Sequence, residues 1–258
     1  MITELLPQEL HHHFEEMKKV PKKLYYRGDV TLLQRPRVSI VGTRTPSQYT
    51  KQMTADLSHK LSSVGAVVVS GGAMGVDGQA HFGAGYGNTI AVMPCGLDIR
   101  YPMTHKSMFE AIEREGLLLS MYEEGTKAAN WSFVARNEMV VALGDVLIVA
   151  EALCESGSMR SVAYAQKMGK KIYTFPHRAG ESDGTMDLVR TGEAEVIYDL
   201  DHFVSQYGQM QAIEDDPFLC FCQSQPSYEE AVKRYGEKVS LYELEGKISI
   251  TNGKVILR

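Results

Sequence analysis

The sequence predicts an α/β protein: an extended, Rossmann-like, doubly wound and mostly parallel sheet, followed by a small winged-helix-like C-terminal module. Three observations predict it. Short, wholly apolar runs alternate with stretches of helical periodicity through most of the chain. Three of those runs lead into loops of small residues, GTRTPSQY at 42–49, SGGAMGVDGQAH at 70–81 and ESGSMRS at 155–161. The tail then changes to short helical segments closed by KISITNGKVILR, where Asn252 and Gly253 sit between alternating apolar residues, a hairpin signal.

The predicted strands are 38–42, 66–70, 89–93, 117–120, 146–150, 171–175 and 195–197. They are apolar throughout rather than alternating, so both faces should be covered, as in a parallel sheet between two helical layers. The intervening helices fall at 49–64, 76–86, 105–114, 132–143 and 158–168. A helix at 202–210 leads to Glu214, Asp215, Asp216 and Pro217, an acidic linker, and helices follow at 218–223, 228–235 and 238–245. The third of these is about as acidic as basic, which favours protein contact or packing over reading of duplex DNA. The expected organisation is a helical or entry segment at 1–36, a Rossmann-like domain at 37–212 and the winged-helix-like C-terminal module at 217–258.

With 258 residues, 44% of them hydrophobic, the chain can bury a full core. No run approaches the roughly 18 apolar residues of a membrane span, and the N-terminus is not a basic-then-apolar export signal. A cytoplasmic protein without membrane contact is expected. Cys95, Cys154, Cys220 and Cys222 form no CxxC pair and read as buried free thiols, and His11, His12 and His13 read as solvated surface on a helix. No metal and no cofactor is expected. A net charge of -5 excludes a uniformly basic nucleic-acid binder but leaves room for one basic groove.

If the strands lie side by side, the small-residue loops open at one sheet edge, where backbone N–H groups and helix N-termini suit a phosphate. That phosphate could belong to a small nucleotide or to a polynucleotide backbone. Gly42 ends the first strand, Thr43 offers a hydroxyl and Arg44 a fork of donors matched to phosphate oxygens, although a tight turn with an exposed arginine would read the same. Ser70 and Gly71 begin a loop that permits close backbone approach. Asp77 and His81, four apart, read as a helix-capping aspartate and a hydrogen-bonded histidine rather than an acid/base pair. Ser156, Gly157 and Ser158 stand at a helix start. Trp131 and Phe133 beside Arg136, Asn137 and Lys127 combine stacking surfaces with cations, as a single strand requires. Being two residues apart on a helix, the two aromatics point apart, and one of them is expected in the core.

VSIVGTRTPSQY, VVVSGGAMGVDGQAH, TIAVMPCGLDIRYP, FVARNEMVVAL, LIVAEALCESGSM and DGTMDLVRTGEAEVI, in that order, resemble the successive motifs of the DNA-processing protein A family, also called DprA or Smf. The resemblance runs from Leu24, where LYYRGDVTLL resembles the family's leading segment, to Val204. Its ordered motifs are more specific than any one glycine loop. It implies an extended Rossmann fold that binds single-stranded DNA without catalysing a reaction, forms homodimers and delivers the RecA recombinase onto incoming strands in natural transformation. The tail resembles the family's C-terminal domain more weakly, and the extra N-terminal helical domain of some members is not expected here. Carried over by motif, Gly42, Thr43 and Arg44 are implied in the strand-binding pocket, with Ser70 and Gly71 as its floor. Arg136 and Asn137 are implied as a cationic wall and Ser156, Gly157 and Ser158 as a phosphate-facing loop, with Lys127 a weaker candidate. The chain departs from the family in its SGGAMG run and at His105, Met121, Glu138 and His177. Glu138, where arginine is common, is expected to remove a positive charge beside the groove.

The combined reading is a single-stranded DNA binder that protects the strand and loads the recombinase. The alternative is a nucleotide-processing phosphoribohydrolase of the lysine-decarboxylase-like group on a related fold. That group's PGGxGTxxE pattern is replaced here by SGGAMGVDG, without the paired Arg and Glu. An NAD-dependent oxidoreductase is disfavoured, since GxGxxG is absent and Ser70 and Gly71 stand where an acidic residue would end the second strand.

Overall fold

The computed structural model describes residues 3–5, 14–15, 17–18, 20–208, 216–244 and 246–257. The chain divides into two units, Met1–Gln209 and Met210–Arg258. In chain order the first unit contains β1 (Thr3–Leu5), β2 (Leu24–Gly28), β3 (Arg37–Val41), α1 (Gln48–Ser63), β4 (Val67–Ser70), α2 (Val76–Ala84), β5 (Thr89–Met93) and α3 (Lys106–Glu115). It continues with β6 (Leu117–Ser120), α4 (Asn130–Leu143), β7 (Val146–Val149), α5 (Gly157–Lys167), β8 (Ile172–Thr174), α6 (Asp183–Arg190), β9 (Glu195–Val196) and α7 (Leu200–Ser205). All strands join one sheet in the order β1-β2-β6-β5-β4-β3-β7-β8-β9. It is parallel from β6 to β9, with β2 antiparallel to β6 and β1 antiparallel to β2.

The apolar runs are strands because both faces are covered. Val67, Val69, Ile90 and Val92 pack against Met139 and Val140 of α4 and Val162 of α5. Their neighbours point the other way: Val68 meets Leu57 and Leu61 of α1 and Ala80 of α2, and Ala91 and Met93 meet Phe109 and Ile112 of α3. This is the doubly wound arrangement expected from the sequence. Its strand order reverses between β3 and β7, because β3 has β4 on one side and β7 on the other.

α4, which carries several candidate residues, is fastened at its C-terminal end. Lys170 Nζ donates to the carbonyls of Val141 (2.7 Å), Ala142 (2.6 Å) and Gly144 (2.5 Å), and Arg37 Nε donates to Leu143 O at 2.7 Å. Two cations thus satisfy the orphan carbonyls at the negative end of the helix dipole. Burial holds the Lys170 amine down to about 8.

Several expectations are corrected. Within the leading helical or entry segment 1–36, the described residues include two strands, Thr3–Leu5 and Leu24–Gly28, which extend the sheet. In LYYRG only Leu24 is buried, with Tyr25, Tyr26 and Arg27 half-buried, so this antiparallel outer strand gives no continuous apolar signal. The helix α6 lies inside a segment read only as a family motif. Cys95 and Cys222 are buried, but Cys154 and Cys220 are exposed, on the loop after β7 and on the outside of a short helix. His11, His12, His13, Glu214 and Asp215 lie outside the described residues.

The second unit consists of α8 (Pro217–Cys222), α9 (Tyr228–Tyr235) and α10 (Lys238–Leu244), closed by a hairpin of β10 (Ile248–Thr251) and β11 (Lys254–Leu257) turning at Asn252 and Gly253. Phe218, Ala231, Val239, Ile248 and Val255 form its core. Asp216 caps α8 by accepting from Phe218 N at 2.8 Å and binds Lys238 and the Tyr242 hydroxyl, which hold its carboxyl below the usual range. Leu241 and Leu244 of α10 are exposed.

His81, fully buried on α2, bonds Thr89 Oγ1 through Nδ1 at 2.7 Å. The Thr89 hydroxyl donates to Val68 O, so His81 Nδ1 carries the proton and Nε2, which has no hydrogen-bond partner, is bare. Burial, with Arg136 and His105 nearby, pushes this imidazole down to about 3 from 6.5. Its folded-state pKa lies below the unfolded one, so its contribution is complete above pH 6.5 and is lost as the pH falls toward 3. In urea titrations across that window, His81→Gln is expected to flatten the acid loss of stability by up to about 1.4 kcal/mol per pH unit.

Candidate nucleic-acid interface

The loops after β3, β4 and β7 lie side by side, as their strands do, and are stitched together. Thr43 N donates to Glu151 O at 2.9 Å, Val76 N donates to Thr43 O at 3.1 Å, and Ser47 N donates to Glu151 Oε2 at 3.0 Å. Gly75, with φ +83, passes so close to Thr43 O and the Arg44 backbone that a Cβ would collide with them. A further loop, 94–102 after β5, is tied to the loop before α4. Gly96 N donates to Thr126 O at 2.9 Å and Gly125 N to the Asp98 carboxylate at 3.0 Å.

Across the C-terminal edge of β3, β4, β5 and β6 these loops enclose an open cavity of about 70 Å³. Arg44, Gly71, Ala73, Met74, Pro94, Tyr101, Pro102, Phe133 and Arg136 line it. Tyr101 and Phe133 pack with ring centroids 5.3 Å apart, and Trp131 stands edge-on to Tyr122 at 5.4 Å. The rim is therefore aromatic and half-exposed, with the exposed Arg44 beside it. Such an open depression can receive a phosphate or the face of one base.

Arg136 forms the floor. It is 4% exposed, and its guanidinium donates to Gly71 O, to Val92 O at 3.3 Å and to Asn137 Oδ1 at 3.0 Å. Asp77, also buried, accepts from Ala73 N at 3.3 Å and faces Arg136. Burial raises the Asp77 carboxyl and lowers the Arg136 guanidinium, and each charge offsets the shift of the other. Gly71 is glycine for a steric reason, since a Cβ there would run into the Arg136 guanidinium and meet Asp77 Oδ2.

Among the residues singled out from sequence, the fold gathers Arg44, Gly71, Phe133 and Arg136 around this cavity. Gly42 packs on Val76, and Thr43 is engaged in the stitching above. The Ser70 hydroxyl donates to Ile40 O inside the sheet, and Asn137 braces Arg136. Lys127 is exposed on the loop before α4. Ser156, Gly157 and Ser158 start α5 on the β7 side of β3 and do not line the cavity; Ser158 is buried, and Ser156 Oγ is buried without a hydrogen-bond partner. Neither aromatic is a core residue: Trp131 is 62% exposed and Phe133 half-buried, both on the first turn of α4. Asp77 is not a helix cap, since Gly75 occupies that position and the carboxylate turns inward. Glu138 is not beside the groove: it is buried and accepts from Lys18 N at 2.6 Å. Tyr101, Met74 and Tyr122 belong to this region without having been singled out; only Tyr122, two residues past the predicted strand 117–120, stood at a position a sequence reading could have flagged.

The family model for DNA recombination-mediator protein A matches residues 4–208. The chain belongs to that family. The DNA processing protein DprA of Streptococcus pneumoniae is 35% identical over 181 residues, covering 69% of this chain and 64% of that protein. Protein Smf of Synechocystis is 34% identical over 207 residues, covering 77% and 52%. The chain spans about half the length of the Synechocystis and Mycobacterium tuberculosis relatives it matches. Among solved structures, DNA processing protein A from Helicobacter pylori, described for its single-stranded DNA binding mode, is 43% identical with a TM-score of 0.75, over 80% of this chain and 95% of that one. The Streptococcus pneumoniae DprA structure is 32% identical with a TM-score of 0.70, over 77% and 71%. The family and the Rossmann-like fold expected from the motif order are both met.

Burial separates the two arginines. Arg136→Ala strands Asp77 and two carbonyls and should lower unfolding free energy by on the order of 3 kcal/mol. Arg44→Ala, on the surface, should change it by less than about 0.5 kcal/mol. Urea denaturation of the two variants beside the wild type checks both values.

Proposed function

We propose that this groove binds single-stranded DNA as a polymer, and that the chain acts without catalysis as a recombination mediator in natural transformation. One observation carries the reading: an exposed cation, Arg44, stands next to half-exposed aromatic rings, Tyr101 and Phe133, over an open depression at the sheet edge. Phosphates meet Arg44 and Lys127, and bases stack on the Phe133–Tyr101 and Trp131–Tyr122 pairs, which accept any base because every base has a π-face. Arg136, matched by Asp77, shapes the floor while its own donors stay engaged. The DNA-binding mode described for the Helicobacter pylori relative supports the choice of ligand.

On this reading the chain protects incoming strands in the cytoplasm, works as a homodimer holding two strand segments, and hands them to a RecA recombinase. The C-terminal unit then serves as a winged-helix-like protein-contact module, consistent with the exposed Leu241 and Leu244 on its third helix. Two or three phosphate contacts per protomer give modest, salt-sensitive affinity, which a dimer raises by avidity.

Filter binding tests the proposal. Arg44→Ala should weaken binding to unrelated single-stranded sequences by a similar factor of roughly ten and lower the salt slope by about 0.7, the share of one phosphate contact on a single strand. Unchanged affinity and slope would remove Arg44 from the interface. Incubation with nucleoside monophosphates should release no free base; release would favour the phosphoribohydrolase alternative.

A further inference from the structure

The crevice between the C-terminal ends of β3 and β7 is where a doubly wound sheet ordinarily seats a phosphate, against the N-terminus of the helix that follows the first strand. Here that helix is α1, capped by Ser47, whose hydroxyl accepts from Thr50 N at 3.1 Å. Its first turn contains no acidic residue. Three of the loop N–H groups a phosphate could use are engaged, those of Thr43, Thr45 and Ser47. Glu151, immediately beyond β7, receives the Ser47 N–H on Oε2 at 3.0 Å and the Thr43 N–H on its backbone oxygen at 2.9 Å. Thr45 N turns to Thr43 Oγ1 at 3.3 Å. The His177 ring adds a wall, with Nε2 bonded to Ala150 O at 2.7 Å and Tyr49 edge-on at 5.9 Å.

We propose that Glu151 is a built-in anion occupying the phosphate position at the switch point, so that this crevice rejects free nucleotides and phosphate binding is confined to the neighbouring groove at Arg44. The carboxylate does three things at once. It complements the positive end of α1, takes the Ser47 N–H that a phosphate would need, and repels a second anion at close range. Strand selectivity then has a physical source beyond the groove: the fold's ordinary nucleotide position is filled from within. The inference deepens the strand-binding reading by naming what keeps small nucleotides out.

The test compares wild type, Glu151→Gln and Glu151→Ala in titrations with inorganic pyrophosphate and with AMP at constant ionic strength. Calorimetry reads affinity, and the Ser47 amide resonance reads location. Glutamine keeps an acceptor for the Ser47 N–H while removing the charge, so this variant retains the stitch even if Glu151→Ala unfolds. Wild type should show no saturable shift of the Ser47 amide, and Glu151→Gln should bind pyrophosphate at least about tenfold more tightly, with that amide moving. Pyrophosphate or AMP binding at Ser47 in the wild type, or a folded Glu151→Gln with no gain, would overturn the inference. Oligo-dT binding by the wild type is measured separately. Its absence would remove the groove reading, and the pyrophosphate comparison would still decide the role of Glu151.

Discussion

The buried guanidinium of Arg136 is the contact on which the interface depends. It reaches from α4 into the carbonyl edge of the sheet, where it holds Gly71 O after β4 and Val92 O in β5. Asp77 of α2 balances its charge. Carbonyls buried at strand ends cost free energy unless paired, so a single side chain settles three elements at once. Gly71 exists to admit it. Because Lys170 and Arg37 fasten the opposite end of α4, the helix that presents Phe133 and Trp131 is fixed at both ends.

That division of labour explains how an acidic chain can offer a cationic groove. The charge that shapes the floor is internal and matched, while the charges available to a ligand, Arg44 and Lys127, stand on loops at the surface. On the proposed reading, the aromatic rings of Tyr101 and Phe133 beside Arg44 offer contact that does not discriminate among bases. On the far side of β3 the same sheet edge carries a carboxylate, Glu151, bonded to the Ser47 N–H of the loop. The two halves of the edge therefore differ in sign as well as in shape.

Much of this was legible in the sequence, and the reasons it was not always so are physical. Parallel strands such as VVVS and TIAVM declare themselves because burial on both faces demands unbroken apolar runs. β2 stayed hidden because an outer strand tolerates Tyr25, Tyr26 and Arg27. Adjacent small-residue loops could be inferred once the sheet was taken as parallel, and Arg44 could be picked out by its place after β3. Arg136 could be located but not understood: its partners come from three other elements, and nothing local to ARNEM announces burial. The same holds for Glu138, two residues further along α4, which turns to Lys18 rather than to the groove. Glu151 carried no signal at all, since its partner Ser47 lies more than a hundred residues earlier.

The central claim, that the groove holds a polymer rather than a mononucleotide, is tested most directly by the fluorescence of Trp131, the only tryptophan and an exposed one. Titration with oligo-dT of increasing length should change the emission saturably, with affinity rising as more nucleotides span the aromatic ledges, while dTMP at equal nucleotide concentration leaves it unchanged. Saturable binding of dTMP as tight as that of the oligomers would contradict the account.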